Sequence, residues 1–229
     1  MTAPNRLITW ASPLGLLILL TCLGREGDAQ VVARPVTHPA SWGDFSINGE
    51  LMAEAGKHGR SRMNPMKPRY VTIHSTANVS KGADAKAHAK AIRNGTLKST
   101  HNSLGFLTWH FTVDQGSVYQ SLPERERGEH ADYEGPGNRE SIGIEMCVNA
   151  GNDANRTIDS TAKLTALLMK RHQIPLERVV PHQHWRRIRF DDRKDIGFKN
   201  CPGLLLENGK LAAKWKAFIA AIQRYHQQL

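Results

Sequence analysis

Apolar and polar residues alternate along several short segments of the chain, and this period of two predicts β-strands. Residues 70–75 read Tyr-Val-Thr-Ile-His-Ser, which gives one apolar face and one polar face that carries His74. Residues 106–113 alternate in the same way, and the Asp-Gln-Gly that follows predicts a hairpin turn into a second strand at residues 117–120. Residues 141–148 predict a further strand of this kind. We therefore expect a group of strands whose polar faces line a site.

Longer segments place apolar residues three or four positions apart, which predicts amphipathic helices over residues 84–94, 161–172 and 205–227. Asp159 or Ser160 is expected to cap the second helix. The third helix is expected to cover the core. Because helices and strands are interleaved, the sequence predicts an α/β fold with a single mixed β-sheet flanked by helices.

The beginning of the chain differs from the rest. Residues 1–30 combine a short polar start, an apolar run over residues 11–23 and a small, polar exit. This pattern is typical of a secretory signal peptide, and the apolar run is shorter than the ~20 residues of a membrane-spanning helix. We expect cleavage near Ala29 or Gln30, export to the periplasm or the medium, and no stable membrane insertion afterwards. An uncleaved membrane anchor is the alternative.

The length of 229 residues accommodates one sizeable core. Residues 31–67 are rich in Pro, Gly, Ser and Met and lack a clear period, so they are expected to form an N-terminal arm. Trp42 and Phe45 of this arm could then pack against the domain. Residues 68–229 are expected to form that single domain.

The chain carries 31 Lys and Arg residues against 21 Asp and Glu residues, a formal net charge of +10. A protein this basic favours a polyanion such as the cell wall, a nucleic acid or a membrane surface. The densest basic run, Arg-Arg-Ile-Arg-Phe at residues 186–190, is compatible with nucleic-acid binding. The predicted export signal favours the cell wall instead, and we expect no nucleic-acid partner.

Two histidines and one cysteine from distant segments have the composition of a metal site. His74 lies on the polar face of its predicted strand, His182 follows a short apolar strand at residues 179–180, and Cys201 comes later. Two imidazoles and a thiolate suit zinc and leave a fourth position for water, which is typical of a catalytic site. His184 is an alternative to His182, because residues two apart on an extended segment face the same side.

Removal of the leader leaves two cysteines, Cys147 and Cys201, and an oxidising compartment favours disulfides. A metal-bound thiolate is not free to pair, so we expect no disulfide between them. Cys147 is expected to be a small buried residue.

Glu145 is a carboxylate among the apolar residues of the strand predicted at residues 141–148. A buried, unpaired charge is costly, so this residue needs either a partner or a function.

Five segments, in this order, carry a resemblance to a known family. They are Ile-His-Ser-Thr at residues 73–76, Trp-His-Phe-Thr-Val-Asp at 109–114, Asn-Arg-Glu-Ser-Ile-Gly-Ile-Glu at 138–145, His182, and Lys-Asn-Cys at 199–201. Together they resemble the type 2 class of zinc-dependent N-acetylmuramoyl-L-alanine amidases, relatives of the peptidoglycan recognition proteins. The resemblance runs from about Tyr70 to Cys201 and implies the fold of that family, with residues 68–229 as a zinc amidase catalytic domain.

The resemblance also implies roles for individual residues. It makes His182, rather than His184, the second histidine ligand of Zn²⁺. Glu145 takes the position of the residue that removes a proton from the attacking water and passes it to the leaving amine. Lys199 takes the position of the lysine that stabilises the oxyanion. The expected reaction is hydrolysis of the amide between N-acetylmuramic acid and L-alanine of the stem peptide, with peptidoglycan or muropeptides as substrate and a monomeric enzyme.

Substrate binding is assigned to Trp109, His110 and His130, the last by its resemblance to a substrate-contacting histidine of the family. Trp109 stands where some phage relatives carry a catalytic tyrosine, and tryptophan does no acid or base work, which moves that role onto Glu145. Residues 186–198 are an insertion relative to many relatives and are expected to form a basic loop beside the cleft. A non-catalytic peptidoglycan-recognition module is the alternative function, against which the intact metal and catalytic residues argue.

Overall fold

The computed structural model describes residues 38–43 and 45–229, so the predicted leader lies outside the described residues. The β-strands form one large sheet and one small sheet. The strands of the large sheet are β1 (Ile47–Asn48), β2 (Tyr70–Ser75), β3 (Phe111–Val113), β4 (Val118–Gln120), β5 (Ser141–Met146) and β6 (Val179–Pro181). The small sheet pairs β7 (Leu206–Glu207) with β8 (Lys210–Leu211).

The large sheet has the order β1-β4-β3-β5-β2-β6. Its β3 and β4 are antiparallel and form the predicted hairpin, whereas all other neighbours in the sheet are parallel. The prediction of a mixed sheet is therefore confirmed. Since β5, β2 and β6 are parallel neighbours, their carboxyl ends meet at one edge of the sheet.

Helices cover both faces of the sheet, as predicted. They are α1 (Ala85–Arg93), α2 (Pro136–Arg139), α3 (Ala154–His172) and α4 (Ala213–His226). The α3 and α4 helices pack together on one face. The α1 helix lies on the other face, where Ala85 and Ala89 contact Tyr119 and Cys147. Within the described residues, no helix combines the length and apolar character that crossing a membrane requires.

Side chains alternate between the two faces of β2 and β5, so one face of each strand lies in the core and the other faces the site. Val71 and Ile73 of β2 are fully buried in the main hydrophobic cluster beneath α3 and α4, while His74 belongs to the opposite face. Ile142 and Ile144 of β5 are buried in the same cluster. The predicted faces of these two strands are confirmed.

Several element bounds differ from the predictions. The strand predicted at residues 106–113 is regular only over β3, because residues before it form isolated bridges to other loops. The α3 helix begins earlier than predicted: the side chain of Asp153 accepts hydrogen bonds from the backbone of Asn155 and Arg156, so Asp159 and Ser160 are not the cap. The segment before α4 forms a 3-10 turn and the small sheet instead of helix.

The N-terminal arm belongs to the folded core over its described part. Trp42 and Phe45 are buried in the main cluster, as expected. The indole Nε1 of Trp42 donates to Oε1 of Gln228 at 2.5 Å, which ties the arm to the C-terminal end of the chain. The arm also supplies β1, an edge strand that the sequence pattern did not predict.

The main core allows a stability prediction. Phe111 is 0% exposed at the centre of the sheet, so Phe111→Ala is expected to lower the free energy of unfolding by about 3–5 kcal/mol through lost burial and a residual cavity. Phe198→Ala is the matched control, since Phe198 is 54% exposed, and surface substitutions change stability by only about 0.5 kcal/mol. Urea unfolding of the wild type and the two variants measures both changes in the free energy of unfolding. Equal destabilisation by the two substitutions would contradict the assigned core.

Candidate metal centre

The sheet register brings the polar residues of neighbouring strands side by side. His74 of β2 is the Cα partner of Glu145 in β5, and Glu145 is in turn the partner of Thr112 in β3. His182 follows directly after β6, whose Pro181 pairs with Ile73. These residues therefore converge at the edge where the carboxyl ends of the parallel strands meet.

Three potential metal-binding side chains converge at this edge. The ligand atoms of His74, His182 and Cys201 all lie within 4.8 Å of one another. The Nδ1 atoms of the two histidines are 2.8 Å apart, a separation at which one imidazole nitrogen donates a hydrogen bond to the other. The thiol Sγ of Cys201 accepts a hydrogen bond from the backbone N–H of Ser75 at 3.3 Å. All three side chains are buried.

The electrostatics of the cluster fit a soft divalent cation. Burial lowers the pKa of His182 to about 3 and holds the pKa of His74 well below its usual range, with the positive charge of Lys199 adding to both effects. Both imidazoles are therefore neutral and present lone pairs. Burial, with the nearby Glu145, raises the pKa of the Cys201 thiol to about 12. A thiol with this pKa becomes a thiolate when a metal ion coordinates it, and two imidazoles with one thiolate suit zinc.

The structure places only one of the two candidate histidines, His182 and His184, in the cluster, whereas sequence spacing was compatible with both. His182 lies in the cluster, whereas His184 is exposed and packs edge-on against the ring of Trp185, with ring centroids 4.6 Å apart. The reason is a 3-10 turn over His182–His184, which replaces the extended segment that would have put both side chains on one side.

Glu145 lies beside the cluster, and one of its carboxylate oxygens has no hydrogen-bond partner among the described residues. Its Oε1 is 3.8 Å from Nδ1 of His74, and its side chain is 12% exposed. Its Oε2 is buried and has no hydrogen-bond partner among the described residues. Burial raises the pKa of Glu145 to about 8, while the positive charge of Lys199 acts to lower it. Lys199 itself is exposed, so its ammonium remains open to solvent.

The side chains of Trp109 and His110 are both buried. The indole Nε1 of Trp109 donates to Oγ1 of Thr112 at 2.7 Å, and the ring is buried. His110 is 0% exposed. Its Nδ1 accepts from the backbone N–H of Gly143 at 2.9 Å, and its Nε2 donates to the carbonyl of Glu126 at 2.7 Å. The assignment of both residues to substrate binding stays a prediction. The contacts of His110 give that residue a structural role, because they join β5 to the segment before β3.

His130 contacts the cluster directly. Its Nδ1 lies 3.1 Å from Nε2 of His74, and the two rings are almost perpendicular, at 88°. Burial, with the neighbouring His110 and His182, holds the pKa of His130 well below its usual range. Its predicted substrate contact stays a prediction.

Asn138 is a supporting residue that the sequence reasoning did not single out. Its Oδ1 accepts hydrogen bonds from the backbone N–H groups of His130 and Ala131, at 2.9 and 2.7 Å. Its Nδ2 donates to the buried carboxyl of Glu129 at 3.0 Å. Asn138 therefore holds the loop that presents His130. Its place at the start of the segment at residues 138–145 was the available signal.

The insertion forms a hairpin rather than an irregular loop. The backbone N–H of Arg187 donates to the carbonyl of Gly197 at 2.8 Å, and that of Arg189 donates to the carbonyl of Lys194 at 2.9 Å. The charge of Arg187 contributes to the low pKa of His182, so the base of the hairpin lies near the cluster. The structure thus places a basic hairpin beside the candidate metal centre.

The fold and the cluster define a class: an α/β protein with a candidate three-ligand metal centre at the carboxyl edge of a mixed sheet. The family model described as N-acetylmuramoyl-L-alanine amidase matches residues 64–204. The amidase CwlH of Bacillus subtilis (strain 168) is 42% identical over 159 residues, which are 69% of this chain and 54% of CwlH. The amidase XlyA of the same strain is 40% identical over 158 residues, 69% of this chain and 45% of XlyA.

Solved structures agree with these sequence matches. A mutant endolysin from Bacillus subtilis is 40% identical with a TM-score of 0.63, over 78% of this chain and 99% of that chain. The catalytic domain of XlyA has a TM-score of 0.62 at 38% identity, over 77% of this chain and 99% of that chain. This chain belongs to the N-acetylmuramoyl-L-alanine amidase family. It spans about half the length of CwlH and XlyA.

Proposed function

We propose that this protein is a zinc-dependent hydrolase that cleaves the amide bond between N-acetylmuramic acid and the L-alanine of the stem peptide. The observation that carries the proposal is the buried cluster of two imidazoles and a thiol, beside which lies the carboxylate of Glu145, with one oxygen that has no partner among the described residues. Membership of the amidase family supports the choice of bond.

His74, His182 and Cys201 would hold the zinc ion, because their ligand atoms converge and their neutral imidazoles offer lone pairs. Zinc bound there would polarise the scissile carbonyl as a Lewis acid and lower the pKa of a water molecule. A three-ligand protein site leaves room for water and substrate.

The protein's own residues then move the proton and balance the charge. The open oxygen of Glu145 accepts a proton from the attacking water and returns it to the departing amine of L-alanine. The ammonium of Lys199 offsets the negative charge that develops on the former carbonyl oxygen. Its electrostatic influence on Glu145, His74 and His182 supports a position close enough for this role.

The proposal includes where the enzyme works. The leader pattern of residues 1–30 supports export, and the net charge of +10 supports association with an anionic wall. The substrate would be peptidoglycan or soluble muropeptides, met outside the cytoplasm. The monomeric state remains a prediction.

Analysis of the reaction products tests this function. Incubation of the zinc-loaded protein with purified peptidoglycan is expected to release free L-alanine amino termini without new reducing sugars. New reducing ends would indicate glycan cleavage and contradict the assigned bond. Binding to the wall without any released amino termini would favour the alternative, a recognition module that has the fold but not the catalysis.

Lys199→Ala is expected to slow hydrolysis by about 10²- to 10³-fold, because loss of one oxyanion-stabilising group typically has an effect of that size. Zinc content and fold should be retained, since the side chain is exposed. The matched control is Lys210→Ala, which removes an exposed lysine of β8. Steady-state rates on a muropeptide measure the effect; equal rates for the two variants would exclude Lys199 from catalysis.

A further inference from the structure

We propose that His130 is a positioning residue that fixes the tautomer and the ring orientation of His74, and that it does not contact substrate. The inference rests on the proposed zinc site, because it concerns how one ligand of that site is held. It differs from the role that family resemblance suggests for His130. The argument depends on which atoms in a chain of buried hydrogen bonds can donate.

The chain of hydrogen bonds starts at the backbone carbonyl of Ser141, which acts only as an acceptor. Nε2 of His130 lies 3.3 Å from the backbone carbonyl of Ser141, and a carbonyl oxygen can only accept. Nε2 of His130 therefore carries a proton. A neutral imidazole has one proton, so Nδ1 of His130 is an acceptor.

The proton between His130 and His74 then belongs to His74. Since Nδ1 of His130 accepts, Nε2 of His74 donates across the 3.1 Å that separates these atoms. A neutral His74 with its proton on Nε2 has a free lone pair on Nδ1. This Nδ1 is the nitrogen that lies 2.8 Å from Nδ1 of His182, inside the cluster. Metal-binding histidines commonly donate their second ring N–H to a protein acceptor, which orients the ring.

The surroundings of His130 leave its ring little freedom. A Cβ atom on Gly143 would lie 2.8 Å from Nε2 of His130, and one on Gly128 would lie 2.7 Å from its Cδ2. The ring is thus seated closely against the backbone at two glycines, and Asn138 holds its backbone N–H. Both ring nitrogens already have partners, and the residue is 9% exposed. No ring nitrogen remains for a substrate.

Zinc affinity tests this role in the full chain. His130→Leu removes the acceptor and is expected to weaken zinc binding by about 10- to 100-fold, the usual effect of losing an outer-shell partner. His130→Asn should restore part of this loss, because its amide oxygen can accept from His74. Gly143→Ala should also weaken binding, since the new Cβ displaces the His130 ring. His184→Leu is the control with an exposed histidine and should bind zinc as the wild type does.

Kinetics at saturating zinc separate positioning from substrate contact. Positioning predicts that His130→Asn keeps the wild-type KM for a muropeptide, with any loss confined to kcat and zinc affinity. A raised KM with unchanged zinc affinity in both His130 variants would overturn the inference and restore the substrate-binding role.

A measurement on the wild-type chain needs no substitution and no bound metal. Proton–nitrogen NMR of the histidine rings is expected to show His74 protonated on Nε2 and His130 also protonated on Nε2. A proton on Nδ1 of His74 would overturn the inference. Failure of the wild type to bind zinc would instead refute the proposed function, so the two failures are distinguishable.

Discussion

Replacement of His74, His182 or Cys201 with alanine is expected to remove bound zinc and almost all hydrolysis. Each variant leaves two protein ligands in a cluster whose ligand atoms lie within 4.8 Å of one another. Lewis-acid assistance by a metal is worth several kcal/mol, so the rate should fall by about 10³-fold or more. Metal analysis of the purified proteins and release of L-alanine amino termini measure the two losses separately.

Matched controls exist for both ligand types. His184→Ala removes an exposed histidine two positions from His182 and should retain zinc. Cys147→Ala removes a buried thiol that packs under α1, outside the cluster, and should also retain zinc. If His184→Ala loses zinc and His182→Ala retains it, the ligand assignment is wrong.

Glu145→Gln is expected to slow hydrolysis by about 10²- to 10⁴-fold, the typical contribution of general acid and base catalysis. Glutamine keeps the size of the side chain but neither accepts nor returns the proton. Zinc content and affinity for wall fragments should change little, since Glu145 is not among the three clustered ligands. Single-turnover rates and fragment-binding assays on the same zinc-loaded protein would test both statements.

Glu140→Gln is the control for this substitution. Glu140 directly precedes β5 and pairs at the surface with Arg69, at 3.7 Å between Oε2 and Nε. Its replacement should leave the rate unchanged. Hydrolysis near the wild-type rate by folded, zinc-loaded Glu145→Gln would refute the proton-transfer role and require a different base.

The signals that point to the candidate site residues are local. Alternation in β2 places Val71 and Ile73 on the core face and His74 on the other, and one strand's own period suffices to show this. Glu145 was conspicuous as a carboxylate within an apolar strand. The Lys-Asn-Cys segment was recognisable from residue type and order, which do not depend on the fold.

The choice between His182 and His184 could not be made from the local sequence pattern. Both side chains are compatible with an extended segment, and a single 3-10 turn sends them in different directions. The backbone conformation of such a short connection depends on its tertiary contacts, here including the hydrogen bond from the N–H of Gln183 to the carbonyl of Cys201.

By itself, the sequence determined most of the strand and helix types, the two faces of β2 and β5, and a set of candidate metal-binding side chains that still contained both His182 and His184. Each of these follows from residue type and short-range period. Only the tertiary structure decided the edge pairing of β1 with β4, the separation of His182 from His184 and the contact of His130 with His74. These features depend on contacts between segments far apart in the chain. The period of a single segment carries no information about its partner.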